Sequence, residues 1–421
     1  MSDTTFTSIL ETALTKPDSF IQSILPEIKT LTEDKLSVMA NVLESGSVID
    51  KQNITKLFVE YLGESGCKYL ADNSLDVGRP KLYIQAANII GELHYVPALP
   101  NLQRALHKDC IELVLPSVKA ISLLPSSKET TKVLADFFLT FEDEVQISKS
   151  IRYLAVRSED LVPVFLENYK QQTDERKMFL LDYFSEVADK RTEQLIIDEY
   201  KSAPYEKGIY CVEALGRIGT NKAVTALTEA LASPEWFLRK HVVNALGVSN
   251  NITAVEPLLK ALDDKHVLVR GAAIKALSLV GNKNPDLLIE TLKTANKQVK
   301  TNLIRAMGQL KNEKFVESLI EVLKERDLLF FSIDAVGDLG FPQAEFALRR
   351  LLKDEVWYNR LNALEALEKL HSRQLKDFAQ EALSDENDMV RNAGTRILGN
   401  IKAKQSGENK PRKDISGLLG F

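Results

Sequence analysis

Cysteine is scarce in this chain of 421 residues, with only three copies. Cys67, Cys110 and Cys211 form no CxxC pair and leave an odd number, so the sequence predicts neither a disulfide framework nor a zinc ribbon. This use of cysteine is typical of a reducing compartment, and we expect a cytoplasmic location.

Long apolar runs are also missing. No stretch approaches the roughly 18 to 20 apolar residues that a membrane-spanning helix needs. The first 20 residues lack the basic and apolar regions of a secretory signal. We therefore expect a soluble protein with no membrane partner.

Aromatic residues make up only 7% of the chain, whereas Leu, Ala, Glu and Lys recur throughout. This balance predicts an all-α protein packed through aliphatic side chains. Residues 1–200 carry 21 Lys and Arg against 31 Asp and Glu, which leaves 33 against 28 for residues 201–421. Because neither half is strongly basic, the charge disfavours a nucleic-acid partner.

Catalytic and nucleotide-binding motifs are absent as well, since no GxxxxGK[ST], GxSxG, HExxH or GxGxxG stretch occurs. His107 and Cys110 could share a helix face as metal ligands, but no ligand spacing recurs around them. Asp263, Asp264 and His266 resemble an acid/base cluster, which we interpret as helix capping in a turn. The sequence thus predicts no enzyme, no metal site, no cofactor and no small-molecule ligand.

A short internal repeat dominates the second half of the chain. An alanine or isoleucine, here called the marker residue, recurs every 29 to 31 residues near the end of an apolar run, at Ala214, Ala245, Ala276, Ala306, Ala335, Ala366 and Ile397. A basic residue follows the same period at Arg239, Arg270, Lys300, Arg360 and Arg391, with a break at Phe330-Phe331. The marker residue and the basic residue recur with the same period, which indicates a repeat architecture.

Each repeat contains two helical patterns, for example AVEPLLKALDD at 254–264 and VLVRGAAIKALSLVG at 267–281. Alanine lets neighbouring helices approach closely, and we expect a Gly or Asn after each run to end the second helix through a positive φ. One hairpin cannot bury both of its apolar faces. The hairpins must therefore stack, which predicts an α-solenoid with an extended binding surface.

These patterns resemble the HEAT repeat, in the short form of about 30 residues found in phycobilisome-lyase-type proteins. The resemblance extends from about residue 204 to residue 401 and implies a right-handed superhelix of about eleven hairpins. It also implies a ladder of Asp and Arg side chains between repeats, with Asp263 or Asp264 beside Arg270, and Asp385 or Asp388 beside Arg391.

The repeat also predicts the domain organisation. Residues 76–203 are interpreted as degenerate repeats, with period markers at Gly91, Pro125, Ala155 and Ser185, and residues 204–401 as regular repeats. Residues 1–75 are helical by pattern but off the period, and a solenoid needs a terminal cap with a polar face. They are interpreted as that N-terminal cap.

Residues 402–421 lose the apolar period and predict a flexible basic tail. The tail carries four large apolar residues: Ile415, Leu418, Leu419 and Phe421. They predict a short linear motif that binds another protein. The alternative is that they fold back onto the last repeat.

Three aromatic pairs recur just before or around the position of the repeated basic residue: Trp236-Phe237, Phe330-Phe331 and Trp357-Tyr358. Trp236-Phe237 precedes Arg239, and Trp357-Tyr358 precedes Arg360, so each Trp stands three residues before its Arg. Equivalent repeats should place both pairs on one edge of the solenoid, where Trp, Tyr and Arg could form a partner-binding strip. The alternative is that these aromatic side chains fill the joints between repeats.

The sequence thus favours a non-catalytic interaction scaffold or adaptor that binds one or more proteins. Two alternatives stay open. The resemblance implies a bilin lyase-like protein that acts on a tetrapyrrole and an antenna subunit. Some HEAT-like solenoids also grip the backbone of nucleic acids with rows of Lys and Arg.

Overall fold

The computed structural model describes residues 3–16, 19–202 and 207–405, and this part of the chain is helical throughout, with no strand. Contacts divide the chain into two compact units, one before and one after the boundary between residues 203 and 204.

The first unit contains thirteen described helices. Five of them lie within residues 1–75: α1 (Asp3–Leu14), α2 (Phe20–Ile28), α3 (Glu33–Ser45), α4 (Val48–Leu57) and α5 (Gly63–Asn73). The others are α6 (Pro80–Glu92), α7 (Leu99–Arg104), α8 (Ile111–Leu123), α9 (Lys128–Thr140), α10 (Glu144–Leu154), α11 (Ser158–Asn168), α12 (Asp174–Val187) and α13 (Glu193–Ser202). Helices α6, α8, α10 and α12 pack side by side in succession.

The second unit continues the same alternation. Its helices are α14 (Gly208–Ile218), α15 (Asn221–Ala230), α16 (Trp236–Val248), α17 (Val255–Ala261), α18 (Val267–Val280), α19 (Pro285–Thr294), α20 (Lys297–Gln309), α21 (Val316–Val322), α22 (Leu329–Leu339), α23 (Glu345–Leu351), α24 (Trp357–Lys369), α25 (Leu375–Ala382) and α26 (Asp388–Gln405). The even-numbered helices, here called the second helices, form one row, and each of α15, α17, α19, α21, α23 and α25 packs against the helix that follows it. The prediction of an all-α fold of stacked hairpins is confirmed.

Close contact between neighbouring second helices explains the repeated small residues. A Cβ atom added to the glycine two positions after the marker residue would lie 2.7 or 2.8 Å from the alanine of the next second helix. These pairs are Gly216 with Ala245, Gly247 with Ala276, Gly308 with Ala335, and Gly337 with Ala366. In the first unit Gly91 stands against Ala120 in the same manner. The repeated glycine therefore sets the spacing of the helices.

Of the described second helices, five end through a positive φ, at the predicted Gly or Asn in three of them, whereas Gly281 at the end of α18 has a φ of −59°. The turning residue stands five positions after the marker, as at Gly219 and Asn250, with φ of 64° and 50°. Lys311, Gly340 and His371 adopt the same left-handed region in later repeats. The left-handed residue turns the chain from the end of one hairpin toward the start of the next.

Two details of the predicted organisation differ from the structure. Pro125 and Ala155 lie beyond the ends of α8 and α10, so they are not the counterparts of the marker residues. Helix α26 continues to Gln405, past the predicted start of the tail at residue 402. A composition shift locates the boundary of a helix only roughly.

Candidate functional site

Large aromatic side chains are exposed where the second helices begin. Trp236 and Phe237 are the first two residues of α16, and Trp357 and Tyr358 are the first two of α24. Their exposed fractions lie between 38% and 42%. Each pair thus lies at the N-terminal start of its second helix, where it is accessible to solvent.

The first aromatic patch consists of Trp236, Phe237, His266, Val267 and Leu268. The indole of Trp236 stacks on the imidazole of His266, with 4.2 Å between ring centroids and 10° between the planes. Phe237 meets Trp236 edge-on. Val267 and Leu268, the first residues of α18, are exposed beside this stack. The stack of Trp236 on His266 therefore joins two adjacent repeats in this patch.

The second aromatic patch consists of Phe330, Trp357, Tyr358 and Met389. The rings of Phe330 and Tyr358 lie 6.3 Å apart, and Tyr358 meets Trp357 edge-on at 5.8 Å. Met389, near the start of α26, is also exposed. Phe330 belongs to the repeat in which the sequence loses its basic marker, so this patch spans three repeats.

The two patches do not join into the single strip that the sequence predicts. Between them lies α20, which begins with Lys297 and Gln298, and the turn before α22, which contains Arg326 and Asp327. Lys297 Nζ lies 2.9 Å from Asp327 Oδ2 in an ion pair. The edge therefore presents two apolar patches with a charged stretch between them.

Arg239 and Arg360 stand beside the patches but face into the protein. Arg239 Nε and Nη2 donate to the two carboxylate oxygens of Asp264 over 2.7 and 2.9 Å. Arg360 binds Asp385 in the same bidentate manner, over 2.8 Å at each oxygen. Both guanidinium groups are buried and tie one repeat to the turn of the next. The predicted binding arginines therefore lie in a ladder between repeats, not on the patch surface.

The ladder differs in detail from the one that the resemblance implies. Each arginine donates from Nη1 to two carbonyl groups of its own turn. Arg270 makes no contact with the Asp264 carboxylate among the described residues, whereas Arg391 pairs with Asp388, one of its two predicted partners, within its own helix. The carboxylates accept from the arginine of the preceding repeat, 25 residues earlier. The hydrogen bonds from Arg239 and Arg360 lower the pKa of the Asp264 and Asp385 carboxyls.

A substitute contact bridges the break in the basic pattern. Leu329 occupies the arginine position of α22 and is buried, so it cannot bind the aspartate of the following turn, Asp354. Asp354 instead pairs with Arg326 and accepts from Asn359 Nδ2 at 3.0 Å. The turn keeps a charged partner although the expected residue is apolar.

The sequence analysis missed His266, Val267, Leu268 and Met389 as members of the patches. Each of the three apolar or aromatic pairs at 236–237, 267–268 and 357–358 lies nine and eight residues before a marker residue. Comparing these two positions across all repeats would have found Val267, Leu268 and Met389. The interpretation of Asp264 as a capping residue is supported, since its Oδ1 accepts from the backbone N–H of His266 at 2.8 Å.

The tail residues Ile415, Leu418, Leu419 and Phe421 lie outside the described part of the chain. Among the residues that the structure describes, no group of three or more His, Cys, Asp or Glu side chains could hold a metal ion. Every helix of that same part is too short or too polar to cross a membrane.

HEAT repeats are found in the second half of the chain. A family model described as HEAT repeats matches residues 194–278, 255–332 and 344–409. The predicted HEAT repeats are confirmed there, whereas the phycobilisome-lyase form stays a prediction. A search of the curated proteins returns no match.

Solved structures of Kap121p share the fold. A triple mutant of Kap121p has a TM-score of 0.52 and 13% identity, over 96% of this chain and 55% of that chain. Kap121p itself has a TM-score of 0.51 and 13% identity, over 95% and 53%. Kap121p bound to Nup53p has a TM-score of 0.50 and 14% identity, over 93% and 56%. The likeness confirms the α-solenoid fold, and this chain spans about half the length of those relatives.

Proposed function

We propose that this protein is a non-catalytic interaction scaffold that binds a partner protein through the two aromatic patches. The observation that carries the proposal is the exposure of Trp236, Phe237, Trp357 and Tyr358 on one edge. Aromatic anchors dominate the energy of protein interfaces, and clustered apolar surface of this kind marks interaction sites.

The buried arginines support the same role indirectly. Arg239 and Arg360 fix the turns from which the aromatic residues project, so the patches are held on a rigid framework. A preordered surface loses less conformational entropy when a partner binds. In this proposal the two arginines position the patches and do not touch the partner.

The fold neighbours are compatible with a scaffold. In one of the similar structures, Kap121p is bound to Nup53p, so a solenoid of this class can carry a protein partner. We extend only the general role to this chain. The proposal includes a cytoplasmic location, which the use of cysteine favours.

A second binding element belongs to the proposal. The ISGLLGF sequence at residues 415–421 follows a stretch rich in Lys and Arg, and such a tethered apolar peptide could insert into a groove of another protein. Binding through both elements would raise the avidity for a partner that presents two sites.

Site-specific photocrosslinking tests the proposal. A photoreactive phenylalanine analogue replaces Tyr358 or Phe237 in the full chain within its native cells, and crosslinked proteins are identified by mass spectrometry. Phe346 on α23 provides the matched control because it is aromatic and more exposed but lies outside both patches. We expect specific partners at positions 358 and 237, and none of them at position 346.

Variants then separate the two elements. Combining Trp357→Ala with Tyr358→Ala should remove the crosslinks formed at Phe330, whereas Phe346→Ala should leave them unchanged. Replacing Leu418, Leu419 and Phe421 by Ala should remove only partners that need the tail. Equal crosslinking at positions 358, 237 and 346 would contradict the role of the patches.

A further inference from the structure

A second surface runs along the middle of the second helices, away from the aromatic edge. Three positions on each helix are half-buried or exposed: those five and one residues before the marker and three residues after it. These three positions on each second helix, taken over all the second helices, are here called the grid. Their charges differ strongly from one part of the row to another.

At the later end of the row, opposite charges on this grid form ion pairs. On the later helices, Lys369 Nζ lies 2.7 Å from carboxylate oxygens of both Asp334 and Asp338. Arg396 pairs with Glu365 on the neighbouring helix. On the earlier helix α14, Glu213 occupies a grid position, and its carboxylate lies 3.5 Å from His241 Nδ1.

The middle of the row has no acidic residue at all. Helices α16, α18 and α20 contain no Asp or Glu along their whole lengths. Their grid residues are Lys240, Asn244, Val248, Gly271, Lys275, Leu279, Thr301, Arg305 and Gln309. Lys275 and Arg305 are exposed, and no carboxylate of the described residues forms an ion pair with either.

Apolar side chains share this acid-free face. Val248 and Leu279, one helical turn after Asn244 and Lys275, are 56% and 66% exposed. The Arg305 guanidinium lies over the ring of Phe331, 5.8 Å from its centroid, which holds the charge at the surface. The face therefore combines unpaired positive charge with exposed aliphatic surface.

We infer that the acid-free face of α16, α18 and α20 binds an extended segment of a partner protein that carries acidic and apolar side chains. Packed helix axes lie about 8–10 Å apart, and an extended chain advances about 3.3 Å per residue. In an extended segment that crosses the helices, about three residues therefore lie over each helix. An acidic residue at every third position meets Lys275 and then Arg305, and apolar residues between them cover Val248 and Leu279.

The chemistry of this face favours a protein segment over a nucleic acid. Phosphate backbones are gripped by many cations in rows, whereas here Lys275 and Arg305 stand singly on adjacent helices. Val248 and Leu279 would be left uncovered by a phosphate chain. The inference rests on the proposed function to the extent that both make this protein a scaffold, but it concerns a different surface.

Fluorescence anisotropy with the full chain tests it. The probe is a labelled peptide of about twelve residues with Asp at every third position and Leu or Gly between. A matched peptide has Lys in place of Asp, and a single-stranded oligonucleotide of about twelve nucleotides is the third probe. We expect binding of the acidic peptide alone, and weaker binding as NaCl rises from about 50 to 500 mM.

Paired charge reversals locate the site. Lys275→Glu with Arg305→Glu should weaken binding of the acidic peptide at least about tenfold. Lys260→Glu with Lys293→Glu, which makes the same charge change on α17 and α19, should leave the affinity unchanged. Leu279→Ser should weaken binding without altering its salt dependence. If the double reversal does not fold, Lys275→Gln with Arg305→Gln replaces it.

Three outcomes would overturn the inference: equal affinity for the Lys peptide, tighter binding of the oligonucleotide, or unchanged affinity in the Lys275 and Arg305 variant. Crosslinks at Tyr358 and Phe237 would persist in each case if the aromatic patches bind a partner. Failure of this inference is therefore distinguishable from failure of the proposed function.

Discussion

The Cβ position of an alanine at residue 216 would lie 2.8 Å from the Cα atom and 2.7 Å from the Cβ atom of Ala245. Real Cβ atoms do not approach so closely, so Gly216 and Ala245 define the minimum spacing of α14 and α16. The same relationship recurs between later second helices, and it explains why small residues repeat with the period of the hairpins.

Gly216→Ala should therefore destabilise the second unit although alanine favours helices. Overpacking of a close helix joint costs about 1–3 kcal/mol. Both tryptophans lie in the second unit, so the change in tryptophan fluorescence with urea measures its free energy of unfolding. Gly271→Ala is the matched control, because its Cβ atom would meet no atom within 4 Å, and it should stabilise by about 0.5–1 kcal/mol. Equal effects of the two changes would refute the role of the joint.

Arg239→Ala should cost about 3 kcal/mol, because it leaves the nearly buried Asp264 carboxylate without its bidentate partner. Lys260→Ala removes an exposed partner of Glu256 and should change the free energy of unfolding by less than about 1 kcal/mol. Urea unfolding at neutral pH measures both. A loss below 1 kcal/mol for Arg239→Ala would show that water replaces the guanidinium.

The ladder also makes stability depend on pH. Arg239 and Arg360 lower the pKa of the Asp264 and Asp385 carboxyls in the folded state. Their contribution is complete above the pKa of an unfolded aspartate, about 3.9, and is lost as pH falls through the lower folded pKa. Asp264→Asn should thus differ most from the native chain near pH 6, and this difference should shrink toward pH 3. A constant difference across urea titrations between these pH values would disprove the linkage.

Arg326→Ala tests the substitute contact at the break in the basic pattern. Arg326 is largely exposed, and Asp354 keeps its hydrogen bonds from Asn359 and from the backbone N–H of Val356. The expected loss is about 1 kcal/mol or less, clearly below that of Arg239→Ala. A larger loss in the free energy of unfolding would mean that the Arg326–Asp354 pair alone holds these two repeats together.

The aromatic patches show what a single sequence predicts about a site. The spacing of Trp236 and Trp357 from their arginines predicted one edge, and each Trp is the first residue of its second helix. The same spacing suggested that Arg239 and Arg360 join them at the surface, but each guanidinium is held inside the protein by the aspartate of the next turn, Asp264 or Asp385. His266 and Met389 were missed because neither residue type signals an interface without its neighbours.

The sequence by itself determined the helical class, the period of the hairpins and the need for them to stack, because a periodic apolar pattern can be buried only by a neighbouring repeat. Only the tertiary structure decided which repeated residues face inward and which face solvent. Trp236 and Arg239 are equally regular in the sequence. The Arg239 guanidinium is buried because it binds the Asp264 carboxylate in the next turn, whereas the Trp236 indole stays exposed. Contacts between residues 25 positions apart determine which side chain is buried, and a local sequence pattern does not contain these contacts.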